Sequence, residues 1–177
     1  MIRDRENTLR QRGNRVASAL LAGTACTCVL LCSSPVWSAN TCTVSAITLA
    51  FGAYDTLTAL PGTSSITLVC TRTNAATQTI PYTIRLSSGP GSYAARQMTI
   101  AGDTLVYNLY TTAANTTVWG DGTAGTGVVT GSLTIPGNPS PKSASKIETV
   151  YGLINAPQNV TPGAYSTASN LTVTVIY

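Results

Sequence analysis

The chain has 177 residues, 10 Lys and Arg against 6 Asp and Glu, five Cys and no His. Without His there is no Ser-His-Asp or Cys-His nucleophile pair and no His-ligated zinc, and with 9% charged residues there is little from which to build a phosphate-tracking groove. The net charge of +4 is concentrated at the N-terminus, where Arg3, Arg5, Arg10, Arg12 and Arg15 stand against only Asp4 and Glu6, while the remainder sets five cations against four carboxylates.

Residues 16–32 carry no charge, and Pro35 closes this apolar run just before Val36-Trp37-Ser38-Ala39. A positive start, an apolar middle and a small-residue exit are the anatomy of a secretory signal. The expected organisation is a signal over residues 1–38 and one exported domain over residues 39–177. Cleavage fits after Ser38, with Val36 at −3, and less well after Ala39, which puts Trp37 there. A retained signal anchor is the rival reading, because the run is near the lower length limit for crossing a bilayer. No other apolar run is long enough to span. Neither Cys26 nor Cys32 has a good lipoprotein pattern before it. Cleavage removes Cys26, Cys28 and Cys32 and leaves Cys42 and Cys70, an even pair in an exported protein, which reads as one disulfide. Closing that loop contributes about 3–4 kcal/mol on the chain-entropy argument.

The exported part holds 27 Thr, a β-branched residue that favours strands, and no convincing helical stretch. Period-two alternation recurs along it. Ile47, Leu49 and Phe51 share a face ended by Gly52; Ile66, Leu68 and Cys70 share the next. Ile80, Tyr82, Ile84 and Leu86 alternate with Thr79, Pro81, Thr83 and Arg85, and Pro81 predicts an edge position or a bulge. Met98 and Ile100, then Leu105, Tyr107 and Leu109, then Val129, Leu133 and Ile135, then residues 147–154 continue the series. The last run sets Leu171, Val173, Val175 and Tyr177 against Thr172, Thr174 and Ile176.

Turn clusters separate these runs, among them Pro61-Gly62, Ser87-Ser-Gly-Pro-Gly91, Gly120-Asp-Gly122 and Pro162-Gly163, and residues 136–146 read as a long surface loop. Seven or eight short strands with regular turns predict an antiparallel β-sandwich of immunoglobulin-like size. It is not of antibody type, because Trp119 follows both Cys42 and Cys70. The final strand is expected either to present a free edge for strand addition or to be paired internally on both sides.

Eight short motifs occur in order: Thr41-Cys-Thr-Val-Ser45, Phe51-Gly-Ala-Tyr-Asp55, Val69-Cys70, Arg96-Gln-Met98, Tyr107-Asn-Leu-Tyr110, Trp119-Gly-Asp-Gly122, Val150-Tyr-Gly152 and Pro162-Gly-Ala-Tyr165. With them the chain resembles the spore coat protein U domain family, which includes Csu-type subunits of archaic chaperone–usher pili. The resemblance implies an incomplete immunoglobulin-like fold whose missing strand is lent by a periplasmic chaperone. At the outer-membrane usher, the N-terminal extension of another pilus subunit replaces it. It implies a groove flanked by Leu171, Val173, Val175 and Tyr177 on one side and by Ile47, Leu49 and Phe51 on the other. It also implies that a Cys42–Cys70 bond ties the first two strands. No cofactor, metal or catalytic residue is expected from the residues themselves.

Two departures matter. Thr167 stands where the family often has Asp, a local turn variation. Cleavage after Ser38 or Ala39 also leaves no alternating stretch before Cys42 to donate, so the subunit is expected to accept a strand and give none, as at a tip or chain end. Cleavage near Ala25 is the alternative, although Val29-Leu-Leu31 does not alternate. The expected role is an exported, periplasm-to-surface structural subunit in adhesion or biofilm. A non-polymerised coat protein is the alternative, and a secreted glycosidase or lectin a more distant one. For the last, Asp55, Asp103, Asp121 and Glu148 are the available carboxylates, but Asp103 and Asp121 read as turn residues and Asp55 and Glu148 as lying near strand ends. Trp119 and the tyrosines read as core rather than as a sugar platform. Three Asn-x-Thr sequons, at Asn115, Asn159 and Asn170, are the kind that arise by chance in a Thr-rich chain. No Asp-x-Asp calcium loop is present.

Overall fold

The computed structural model describes residues 40–177 except 101, 139–141 and 167–170, so the expected signal over residues 1–38, Ala39 and Thr167 lie outside it. The described residues form ten strands and no helix: β1 (Thr41–Val44), β2 (Ala50–Tyr54), β3 (Leu60–Thr71), β4 (Gln78–Leu86), β5 (Arg96–Ile100), β6 (Asp103–Tyr110), β7 (Val129–Ile135), β8 (Ser143–Ile154), β9 (Gly163–Ser166) and β10 (Val173–Ile176). All named pairs are antiparallel. A five-stranded sheet, β1-β3-β8-β6-β5, faces a three-stranded sheet, β10-β4-β7, and β2 pairs with β9 separately. This is an immunoglobulin-like β-sandwich.

The alternation in the sequence sets which side chains are inside. Ile66, Leu68 and Cys70 of β3 are buried, as are Ile80, Tyr82, Ile84 and Leu86 of β4 and Leu133 and Ile135 of β7. Their in-between neighbours Thr79, Pro81 and Arg85 are exposed. Two sheets with one apolar face each thus close on a common core.

Three expectations shift. There are ten strands rather than seven or eight, because β1, β2 and β9 are short pieces of four or five residues. Gly52 does not end its strand: it takes φ +82° at a register shift, and β2 runs on to Tyr54. The loop after β7 stops at Ser143, because Ser143 to Lys146 pair with Thr71 to Leu68 and extend β8 to 12 residues.

Pro81 sits in the central strand of its sheet, not on an edge. The explanation is in the register. Ser87 N–H donates to Thr172 O, so odd-numbered residues of β4 direct their main-chain groups toward β10. The β4–β10 ladder ends at Thr83↔Ile176. Pro81 therefore faces a side that β10 no longer reaches, and its missing N–H removes no ladder bond.

Gly62 and Gly152 are opposed in the β3–β8 ladder. A Cβ on Gly152 would lie 2.3 Å from Leu49 Cδ2 and 2.8 Å from Phe51 Cζ; one on Gly62 would lie 3.0 Å from Phe51 Cδ1. The glycine pair is a trough that seats Leu49 and Phe51. Gly152→Ala is expected to cost about 1–3 kcal/mol through overpacking, although alanine normally favours a strand over glycine by about 0.5–1 kcal/mol. Urea midpoints check this, and Gly152→Ala combined with Leu49→Ala should cost less than the two separately.

Candidate functional site

β10 is a terminal strand of the three-stranded sheet and pairs only with β4 among the described strands. By the register above, Thr174 and Ile176 direct their main-chain groups toward β4, and Val173 and Val175 direct theirs away from it, along the outer edge. β1 is the terminal strand of the facing sheet and lies against β10. Between β1 and β2, residues 45–49 belong to no strand.

The side chains at this edge divide into two groups. Ile47, Leu49 and Phe51 are buried in the main core, with Leu49 fully inaccessible. Leu171, Val173, Val175 and Val44 pack against that core but remain partly open. Tyr177 is 51% exposed and Ile176 47%. Apolar side chains on both flanks thus meet one core, while only the β10 side and Val44 leave apolar surface uncovered. Cys42 and Cys70 are disulfide-bonded and directly opposed in the β1–β3 ladder. The bond pins β1, one wall of this edge, to the sheet.

The four carboxylates do not converge. Asp55 accepts from the amides of Leu57 and Thr58 and from Thr58 Oγ1. Asp121 accepts from Thr123 N at 2.9 Å and Thr123 Oγ1 at 2.6 Å. These are local turns. Asp103 is not: its carboxylate reaches across the fold to Thr161 N at 2.6 Å and to the Thr161 hydroxyl. Glu148 is not near a strand end; it lies within β8, in phase with buried Val150, and accepts from the Tyr82 hydroxyl. Burial and then this bond push the Tyr82 hydroxyl up to about 12.

Hydrogen bonds from Thr58, Thr161 and Thr123 hold Asp55, Asp103 and Asp121 below the ordinary carboxylate value. Depressed folded values mean the unfolded chain takes up protons first. Their contribution is complete above the ordinary value and is lost as pH falls through the folded ones. Thermal midpoints should therefore be flat near neutrality and fall below about pH 4, and Asp103→Asn should reduce that fall.

One polar cluster was not among the sequence-level candidates. Arg96 is fully buried, and burial lowers its guanidinium below the ordinary value. Nη1 donates to Asn108 Oδ1 at 2.5 Å; Nη2 donates to Ser87 O at 3.0 Å and Trp119 O at 2.6 Å. Its alternation with buried Met98 was the available signal. Trp119 is also fully buried and donates Nε1–H to Ile84 O at 3.0 Å, which makes it core. Among the described residues, no group of three or more His, Cys, Asp or Glu is placed to hold a metal, and no helix is long and apolar enough to cross a membrane.

A family model for the Spore Coat Protein U domain matches residues 27–174, most of the chain. The chain belongs to the Spore Coat Protein U domain family. No curated protein matches it. The family is associated with chaperone–usher pilus subunits and is one of structural pilus and coat proteins. Among the described strands, the outer edge of β10 pairs with no other strand, and partly open apolar side chains lie beside it.

Proposed function

We propose that this chain is an exported structural subunit of a chaperone–usher surface fibre and that it accepts an extended donor strand along β10. The observation that carries the reading is the combination at one edge of outward main-chain groups on Val173 and Val175 with incompletely covered Leu171, Val173 and Val175 side chains. An added strand gains ladder bonds from the former and inserts alternate side chains beside the latter. Ile47, Leu49 and Phe51 act from beneath, since the Gly62–Gly152 trough already seats two of them. Tyr177, half exposed, contacts the donor at the rim. The donor comes first from a periplasmic chaperone and then, at an outer-membrane usher, from another subunit. No catalytic step is assigned, because each carboxylate is engaged separately.

Co-expression with a periplasmic chaperone of this fibre class should yield a soluble complex, whereas a chain that folds alone as a stable monomer and ignores the chaperone contradicts the reading. A signal cut after Ser38 or Ala39 puts the subunit at a tip or chain end, because no alternating segment then precedes Cys42. N-terminal sequencing of the secreted chain tests that position, and a mature start well before residue 30 overturns it.

A further inference from the structure

The outer face of the three-stranded sheet carries a concavity that strand addition does not use. Arg85 and Thr174 are directly opposed in the β4–β10 ladder and both are exposed, so their side chains rise side by side from that face. With Thr172 they floor a cleft of about 280 Å³ whose walls include Tyr93 and Asp121. Tyr93 departs from the expectation that the tyrosines are core: its ring is half-buried, and its hydroxyl donates to Leu86 O at 3.2 Å, which fixes the ring as a wall. Thr123 anchors the Asp121 carboxylate through its amide and hydroxyl, so the carboxylate is in place before any ligand arrives. Arg85 forms no ion pair among the described residues.

We propose that this cleft binds a neutral saccharide, one pyranose ring lying against Tyr93 with its hydroxyls shared between Arg85 and Asp121. The chemistry follows from the lining. An aromatic wall takes the apolar face of a sugar ring. A guanidinium donates to ring hydroxyls and a carboxylate accepts from them. One cation and one carboxylate balance, so an acidic ligand meets Asp121 and a cationic one meets Arg85, and neither is favoured over a polyol. A concave site with few convergent polar groups is the ordinary form of a small-ligand site. The cleft is separate from the acceptor edge, since Thr172 and Thr174 point outward while Leu171, Val173 and Val175 pack on the core.

The test is a titration of the secreted full chain with methyl glycosides of glucose, galactose and mannose, with glucuronate as the acidic counterpart, followed by NMR. At least one neutral glycoside should bind saturably. Arg85→Met and Asp121→Asn should each weaken that binding about tenfold, as expected when a sugar hydroxyl loses its charged partner. Thr174→Tyr, which fills the cleft without removing a charge, should abolish it. The thermal midpoint of the Arg85 and Thr174 variants should stay at that of the parent. Saturable binding of no neutral glycoside, tighter binding of glucuronate, or binding indifferent to all three substitutions overturns the proposal. Glycoside binding by a chain that ignores the chaperone would leave this site standing and remove the strand-acceptor reading, so the two fail separately.

Discussion

Replacing Trp119 with alanine lowers the stability of the folded chain by about 3–5 kcal/mol, the range for removing a large buried aromatic. The indole is fully buried, and its residue joins both sheets: Nε1–H donates to Ile84 O in β4, and the main-chain N–H donates to Leu109 O in β6 at 2.8 Å. Trp119 O in turn accepts from Arg96. A loss of this size is a large share of the roughly 5–15 kcal/mol that holds a domain folded. Trp119→Phe keeps much of the apolar volume but takes away the donor to Ile84 O, and costs about 1–3 kcal/mol. Arg96→Met removes the donors to Ser87 O and Trp119 O, and because it acts in the same cluster its loss does not add to that of Trp119→Ala. Denaturant midpoints measure all three. A Trp119→Ala cost under about 1 kcal/mol, the level of a surface change, contradicts the bridging role.

The double variant Cys42→Ser, Cys70→Ser is expected to lose about 2–5 kcal/mol, mainly by freeing the unfolded chain. The bridge closes a separation of 28 residues. In the folded state the β1–β3 ladder persists without it, through Thr41↔Thr71 and Thr43↔Val69. The local consequence should be larger than the global one at β1, which among the described strands pairs with β3 alone and has four residues to hold it. Denaturation of the variant beside the parent with and without reductant checks this: reductant should lower the parent toward the variant and leave the variant unchanged.

The layered fold was legible because period-two alternation survives in nearly every strand; in β4, Ile80, Tyr82, Ile84 and Leu86 are all inside. Pairing partners were not legible, since period two fixes the face and not the neighbour. That is why Pro81 read as an edge or bulge residue and why β9, which starts at Gly163, was missed behind the Pro162-Gly163 turn signal. Arg96 shows a subtler limit. Its phase with Met98 pointed inward, but a guanidinium is rarely buried without a carboxylate, and its acceptors Ser87 O, Asn108 and Trp119 O come from three separate segments on both sides of it in the chain. Asp103 was half-read: it does stand at the tight β5–β6 connection, opposed to Ile100, but its partner is not local, since Thr161 lies 58 residues on. At the candidate site, the apolar positions of β10 were readable from Leu171, Val173 and Val175, and so was the pairing of Cys42 with Cys70. The glycine trough under Leu49 and Phe51 was not, because nothing local in Val150-Tyr-Gly152 says what presses on the glycine.

Hydrogen exchange of the β10 amides reports whether the proposed strand addition takes place there. In the secreted full chain alone, the amides of Val173 and Val175 should exchange quickly, and those of Thr174 and Ile176, which face β4, more slowly. On binding the chaperone, Val173 and Val175 should become protected to the level of Thr174. Protection of all four amides in the chain alone, or exchange at Val173 and Val175 that stays fast in the chaperone complex, rules out strand addition at β10.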